Sequence, residues 1–257
     1  MATWTSPPLS EVVAAILDDN LQVRQEGTSL EWIHSASLLV HQNCSTAVEA
    51  VMLGVGDALV TRLAAAADAP VLLMLDEIQT GIARTGKMLA ADHENVRADI
   101  LILGKALSGG VFPVSCVLAD DVIMLLIQPG EHGSTFGGNP LAAAVCMEAL
   151  QVVKDENLAQ NAGRLGEVFR QRMRGLMQKS RMIKLVRGKG LLNAIVINDG
   201  PDSKTAWNIC VEFAKSGLLA KPTHGNIIRL APPLVITEDQ IHEGCDILEK
   251  VVLRFGK

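Results

Sequence analysis

Residues 100–110 read Ile100-Leu101-Ile102-Leu103-Gly104-Lys105-Ala106-Leu107-Ser108-Gly109-Gly110, four apolar residues that stop abruptly at a glycine and a lysine. So short and wholly apolar a run is the pattern of a parallel strand covered on both faces. Upstream, Val71-Leu72-Leu73-Met74-Leu75 repeats the pattern and stops at Asp76-Glu77. Downstream, Val114 to Leu118 forms a third run that stops at Ala119-Asp120-Asp121. Strands separated by longer segments predict an α/β fold with a mostly parallel sheet.

Past Asn139-Pro140, helical patterns run from Leu141 to Val153 and, after a break at Asp155-Glu156-Asn157, from Leu158 to Met177. Residues 183–257 read as a smaller α+β unit, with strands near 184–186, 191–197 and 227–230 and helices around 203–215 and 237–255. Thr237-Glu238-Asp239-Gln240 is a capping-box signature at the start of the last helix. The expected organisation is a mostly helical segment over 1–69, a partial large domain over 70–160 and a small C-terminal domain over 161–257.

Composition removes several classes of function. Of 257 residues, 49% are hydrophobic and 20% charged, too apolar for an intrinsically disordered chain. With 23 basic against 28 acidic residues the net charge is −5, which supplies no basic excess for non-specific nucleic-acid binding. No apolar run reaches the roughly 18 residues that span a bilayer, so no membrane association is expected. The five cysteines are scattered and form no CxxC pair, as expected of reduced thiols used as small apolar residues. The first twenty residues lack a basic n-region and an apolar core, so an intracellular, cytoplasmic location is expected, or the mitochondrial matrix if a leader has been lost.

Two nucleotide motifs fail on single positions. Gly81-Ile82-Ala83-Arg84-Thr85-Gly86-Lys87-Met88 nearly spells a P-loop, but Met88 stands where a hydroxyl must reach magnesium. Gly54-Val55-Gly56 has Leu59 where a dinucleotide fingerprint needs its third glycine. The six histidines show no metal-ligand spacing, and no metal site is expected.

Asp76 and Lys105 form a sharper pair. Each lies just past the end of an apolar strand, where open α/β sheets bind ligands. Partial burial of Lys105 would favour a neutral, nucleophilic amine, as a Schiff base requires. A nearby carboxylate could hold a proton on a pyridine nitrogen. On spacing alone, a surface salt bridge is the reading to prefer. A third segment, Gly130-Glu131-His132-Gly133-Ser134-Thr135-Phe136-Gly137-Gly138-Asn139-Pro140, sets two hydroxyls among glycines ahead of a helix. It is a candidate phosphate cradle, with a flexible turn as the alternative. A Schiff-base lysine, a strand-end acid and a phosphate loop together point to pyridoxal phosphate.

Five stretches extend this reading: LDEIQTGIARTGK (75–87), DHENVRADILILGKALSGGVFPVS (92–115), PGEHGSTFGGNPLAAAV (129–145), VRGKGLLNAIVI (186–197) and GLLAKPTHGNIIRLAPPLVI (217–236). In this order they resemble the C-terminal half of the class III (subgroup II) aminotransferases, within them the ornithine aminotransferase family, over residues 72–255. The resemblance implies a pyridoxal-phosphate-dependent transferase of fold type I. By it, Lys105 carries the cofactor as a Schiff base and shuttles the 1,3-proton. Asp76 keeps the ring nitrogen protonated, Ile78 packs on the ring face and Gln79 approaches the ring hydroxyl. Ser134 and Thr135 bind the cofactor phosphate of a neighbouring subunit, which implies a homodimer, and Arg229 engages a substrate carboxylate. The implied reaction moves the δ-amino group of ornithine to 2-oxoglutarate, giving glutamate-5-semialdehyde and glutamate. Another class III ω-amino-acid aminotransferase is an alternative, as is an inactive chain that dimerises with an intact homologue.

The first 70 residues do not resemble the family's N-terminal half. Ser45-Thr46-Ala47-Val48-Glu49-Ala50 only faintly echoes its phosphate loop, and no tyrosine occurs anywhere to supply a tyrosine-based substrate contact. A truncated, misassembled or degenerate chain is the expectation, with weak pyridoxal phosphate binding, little or no ornithine aminotransferase activity and exposed apolar surface.

Overall fold

A computed structural model describes residues 74–255. The expected helical character of residues 1–69, Cys44, and the first residues of the Val71–Leu75 strand lie outside the described residues. The described chain forms two compact units, one of residues 74–81 and 90–151, the other of residues 82–89 and 152–255.

The first unit holds a three-stranded sheet in the order β1-β2-β3, with β1 at Met74–Asp76, β2 at Ile100–Leu103 and β3 at Cys116–Ala119. Strands β1 and β2 are parallel, with Met74 opposite Ile100 and Asp76 opposite Ile102. Met74 and Ile100 are buried, and Ile102, Ala119 and Ile123 pack against them.

Strand β3 departs from the parallel pattern. It runs antiparallel to β2, with Leu103 opposite Cys116 and Ile100 opposite Ala119. A parallel return needs a crossover, usually a helix. The connection instead holds a 3₁₀ turn at Lys105–Ser108 followed by Gly109 and Gly110 at φ +63° and +83°, and the chain reverses. Nor is β3 covered on both faces, because consecutive Val117 and Leu118 are both about half exposed. A single helical turn, α1 (Asp121–Met124), follows it. Helix α2 (Pro140–Asp155) starts where Asn139 Oδ1 accepts the Ala142 N–H at 2.8 Å. Proline, lacking an N–H, is well suited to the first helical turn. Gln151 and Val152, where the two units divide, are consecutive residues of this helix.

The second unit is a four-stranded antiparallel sheet in the order β4-β5-β7-β6 with three helices. Strands β4 (Ile183–Lys189), β5 (Leu192–Ile197) and β7 (Ile227–Leu230) fall where alternation predicts them, while β6 (Lys221–Thr223) carries too few apolar residues to announce itself. Helix α3 (Leu158–Lys179) begins after Asn157, whose φ of +52° breaks the chain from α2. It buries Leu158, Ala162, Leu165, Phe169, Met173 and Leu176, spaced by three and four as one helical face requires. Helix α4 (Thr205–Lys215) adds Ile209 and Phe213, and α5 (Glu238–Phe255) adds Ile241, Cys245, Leu248 and Val252 to one core with Ile195, Ile197 and Ile228. The capping box is present: Thr237 N–H donates to Gln240 Oε1 at 3.0 Å, and Gln240 N–H to Thr237 Oγ1 at 3.3 Å. Among the described residues the four cysteines are free thiols, and burial pushes Cys210 and Cys245 up to about 11.

Segment 82–89 is held in this unit by close backbone approach. Gly190, in the β4–β5 turn at φ +53°, leaves no room for a side chain, since a Cβ there would lie 2.3 Å from the Thr85 carbonyl carbon. A Cβ on Gly166 of α3 would meet the Gly190 carbonyl oxygen at 1.8 Å. On the same helix, Gly175 has nothing within 4 Å of the equivalent position. Gly166→Ala is expected to lower unfolding stability by more than about 2 kcal/mol through overpacking. Gly175→Ala is expected to raise it by up to about 1 kcal/mol through helix propensity. Urea denaturation of both variants checks this, and equal effects would overturn the close-approach account.

Candidate functional site

The parallel register brings the carboxyl ends of β1 and β2 to one edge of the first sheet. Asp76 closes β1, and Lys105 follows β2 after Gly104. The Asp76 carboxylate folds over its own turn, where Oδ1 accepts the Ile78 N–H at 2.9 Å. Lys105 Nζ donates to Gln79 Oε1 at 3.3 Å. Ile78 lies against Gly104, where a Cβ would stand 3.4 Å from Ile78 Cγ2. Asp76, Ile78, Gln79 and Lys105 are thus gathered by two adjacent strand ends.

Lys105 departs from expectation in its exposure. It is exposed rather than partly buried. Its backbone is unusual, with φ at +44° between an extended Gly104 and the 3₁₀ turn. Non-glycine residues occupy this left-handed region at a cost of about 1–3 kcal/mol and do so disproportionately at functional sites.

The loop at 130–140 has hydrogen bonds of its own. Ser134 and Thr135 are exposed, and Ser134 Oγ accepts the Gly137 N–H at 2.9 Å. Asn139 caps the N-terminus of α2, so the Ala142 amide is already engaged and the cradle expected there is not simply the open end of a helix. Arg229 lies on β7 of the second unit, opposite Ala194 of β5 and Lys221 of β6.

Three polar residues escaped sequence reasoning. Glu77 is buried and accepts hydrogen bonds from Thr80, Ala90 and Ala91. Its only signals were a position beside Asp76 and a threonine three residues on. Arg84, within the rejected P-loop pattern, donates to the Leu191 and Pro232 carbonyls at 3.2 and 2.6 Å, and burial lowers its pKa. The pattern thus serves as a structural strap in the second unit. Arg170 of α3, read as part of an ordinary helix, is buried against Asn193 and the Gly190 carbonyl.

The gathered groups fit pyridoxal phosphate. A carboxylate suits a protonated pyridine nitrogen, a primary amine suits an aldehyde, an amide suits a phenolic oxygen, and an aliphatic side chain suits a ring face. Among the described residues no group of histidine, cysteine, aspartate and glutamate could hold a metal ion, and no helix there is long and apolar enough to cross a membrane.

The sequence matches the class-III aminotransferase family over residues 52–252, starting twenty residues ahead of the resemblance legible in the motifs. It is 58% identical over 185 residues to the mitochondrial ornithine aminotransferase of Rattus norvegicus, covering 72% of this chain and 42% of that protein. The acetylornithine aminotransferase from Elizabethkingia anophelis superposes with a TM-score of 0.73 at 60% identity, over 77% of this chain and 51% of that one. The ornithine aminotransferase from Toxoplasma gondii, with pyridoxal phosphate partly occupying its active site, gives 0.71 at 46% identity over 76% and 45%. The chain therefore spans about half or less of the length of these relatives. The described residues form part of a fold type I pyridoxal-phosphate-dependent transferase.

Proposed function

Because this chain belongs to the class-III aminotransferase family, we propose that it supplies the cofactor-holding residues of a pyridoxal-phosphate-dependent transamination. In this reading ornithine donates its δ-amino group to 2-oxoglutarate, giving glutamate-5-semialdehyde and glutamate. The observation that carries the reading is the meeting of Asp76, Gln79 and Lys105 at two adjacent parallel strand ends, with Lys105 Nζ 3.3 Å from Gln79 Oε1.

Bound pyridoxal phosphate supplies an electron-withdrawing ring that stabilises negative charge developing on a substrate carbon. Everything else is work for the chain's own residues. Asp76, its Oδ1 held by the Ile78 N–H, would keep the ring nitrogen protonated. Ile78 covers one ring face and excludes water there. Lys105 Nζ would hold the cofactor and, as a free amine, would take and return the proton of the 1,3 shift. Gln79 steadies that amine and meets the ring hydroxyl. Arg229 pairs with a substrate carboxylate. Exposed Ser134 and Thr135 donate to the cofactor phosphate of a neighbouring subunit, so the working unit is a homodimer. An intracellular location goes with this reading, and the rat relative is named mitochondrial.

One observation favours a second substrate. The E. anophelis structure, at 60% identity, is an acetylornithine aminotransferase. Turnover compared with ornithine and with N-acetylornithine separates the two readings, and a preference for ornithine is expected.

Borohydride reduction in saturating pyridoxal phosphate, followed by peptide mapping, should label Lys105. Label on another lysine would overturn the assignment. Lys105→Ala should lose the label and about a thousandfold or more in turnover, because attachment and proton transfer disappear together. Asp76→Asn should still take the label while turnover falls, since a neutral amide does not hold the ring nitrogen protonated. Wild-type turnover in that variant would remove Asp76 from the mechanism.

A further inference from the structure

We propose that Glu77 is a positioning residue whose buried carboxylate holds Asp76 and Gln79 in place against Lys105; the inference rests on the cofactor reading above. Glu77 stands between Asp76 and Ile78, and its side chain is 3% exposed. Its Oε2 accepts from Thr80 Oγ1 at 2.6 Å and from the Ala90 N–H at 3.0 Å, and its Oε1 accepts from the Ala91 N–H at 2.8 Å. Its backbone is engaged as fully. The Glu77 N–H donates to the Ile102 carbonyl at 2.9 Å, carrying the β1–β2 ladder one residue past Asp76, and its carbonyl accepts the Gly81 N–H at 2.9 Å. Gly81 closes that turn so tightly that a Cβ there would lie 2.7 Å from the Glu77 carbonyl oxygen.

These contacts have a direction. Residues 82–89 leave the first unit, and the chain returns at Ala90. Glu77 binds the turn before the departure through Thr80 and Gly81, and the return through Ala90 and Ala91. Asp76 and Gln79 sit on that turn, one residue before Glu77 and two after it. Three donors converge on two oxygens, which suits an ionised carboxylate, an acceptor only. Glutamine has nearly the same shape but turns an N–H₂ toward at least one donor. The turn then loses its anchor, and the Asp76 carboxylate and the Gln79 amide lose their fixed placement. A binding constellation is held to working geometry by supporting contacts of this kind.

The Ile78 N–H, bonded to Asp76 Oδ1, reports that placement directly. Amide exchange measured without cofactor on the wild type, Glu77→Gln and Thr80→Val, together with absorbance titration by pyridoxal phosphate, tests the assignment. Glu77→Gln is expected to speed exchange at Ile78 at least tenfold and to weaken pyridoxal phosphate binding about tenfold. Thr80→Val, which keeps the carboxylate and both amide donors, should move both readouts the same way by about threefold, and it decides the matter if Glu77→Gln fails to fold. A merely structural role at the chain's return would speed exchange at Ala90 and Ala91 and leave Ile78 and the affinity unmoved, and that outcome overturns the proposal. The two readings fail separately. A wild-type chain unlabelled at Lys105 defeats the cofactor reading, whereas a labelled wild type with unmoved Ile78 exchange in the variants defeats the Glu77 assignment alone.

Discussion

The parallel, in-register pairing of β1 with β2 is the constraint on which the candidate site depends. Opposing Asp76 to Ile102 leaves both strands ending at the same edge, so an acid and a lysine 29 positions apart become neighbours. A one-residue slip would invert each side chain's face and send Asp76 to the other side of the sheet. The ladder does not stop at the strand, because the Glu77 N–H extends it to the Ile102 carbonyl before the chain turns. Backbone hydrogen bonding therefore brings the two strand ends together, and the Glu77 carboxylate binds the turn that follows.

The first unit is lightly built around this edge. Among its described residues, Met74 and Ile100 are the buried strand pair, and Val111, Val122, Leu125 and Phe136 are each more than 70% exposed.

The second unit is held differently. A continuous core runs through α3, α4, α5 and the four-stranded sheet, and its polar exceptions have buried partners. Arg84 and Arg170 both end on backbone carbonyls of the β4–β5 turn region, and desolvation lowers the pKa of each while those carbonyls satisfy the guanidinium donors. The two arginines fix the strap at 82–89 and the turn that Gly190 leaves open to it.

Much of this was legible in the amino-acid order because it is local. Apolar runs ending at Asp76 and at Gly104-Lys105 marked β1, β2 and the lysine, and three-and-four spacing marked α3 and α5. Thr237 and Gln240 marked the cap, since both partners of that contact lie within one turn. The direction of β3, the exposure of Lys105, the buried hub at Glu77 and the carbonyl partners of Arg84 were not legible. Each depends on groups brought together from distant positions: a strand direction set by how residues 104–115 close, a carboxylate bound by amides thirteen and fourteen residues away, a guanidinium satisfied more than a hundred residues on. Sequence by itself determined which residues could do the chemistry, because residue type and strand-end position are local facts. Only the tertiary structure decided which of them meet and what holds them there, because burial and long-range hydrogen bonds exist only once the chain has folded.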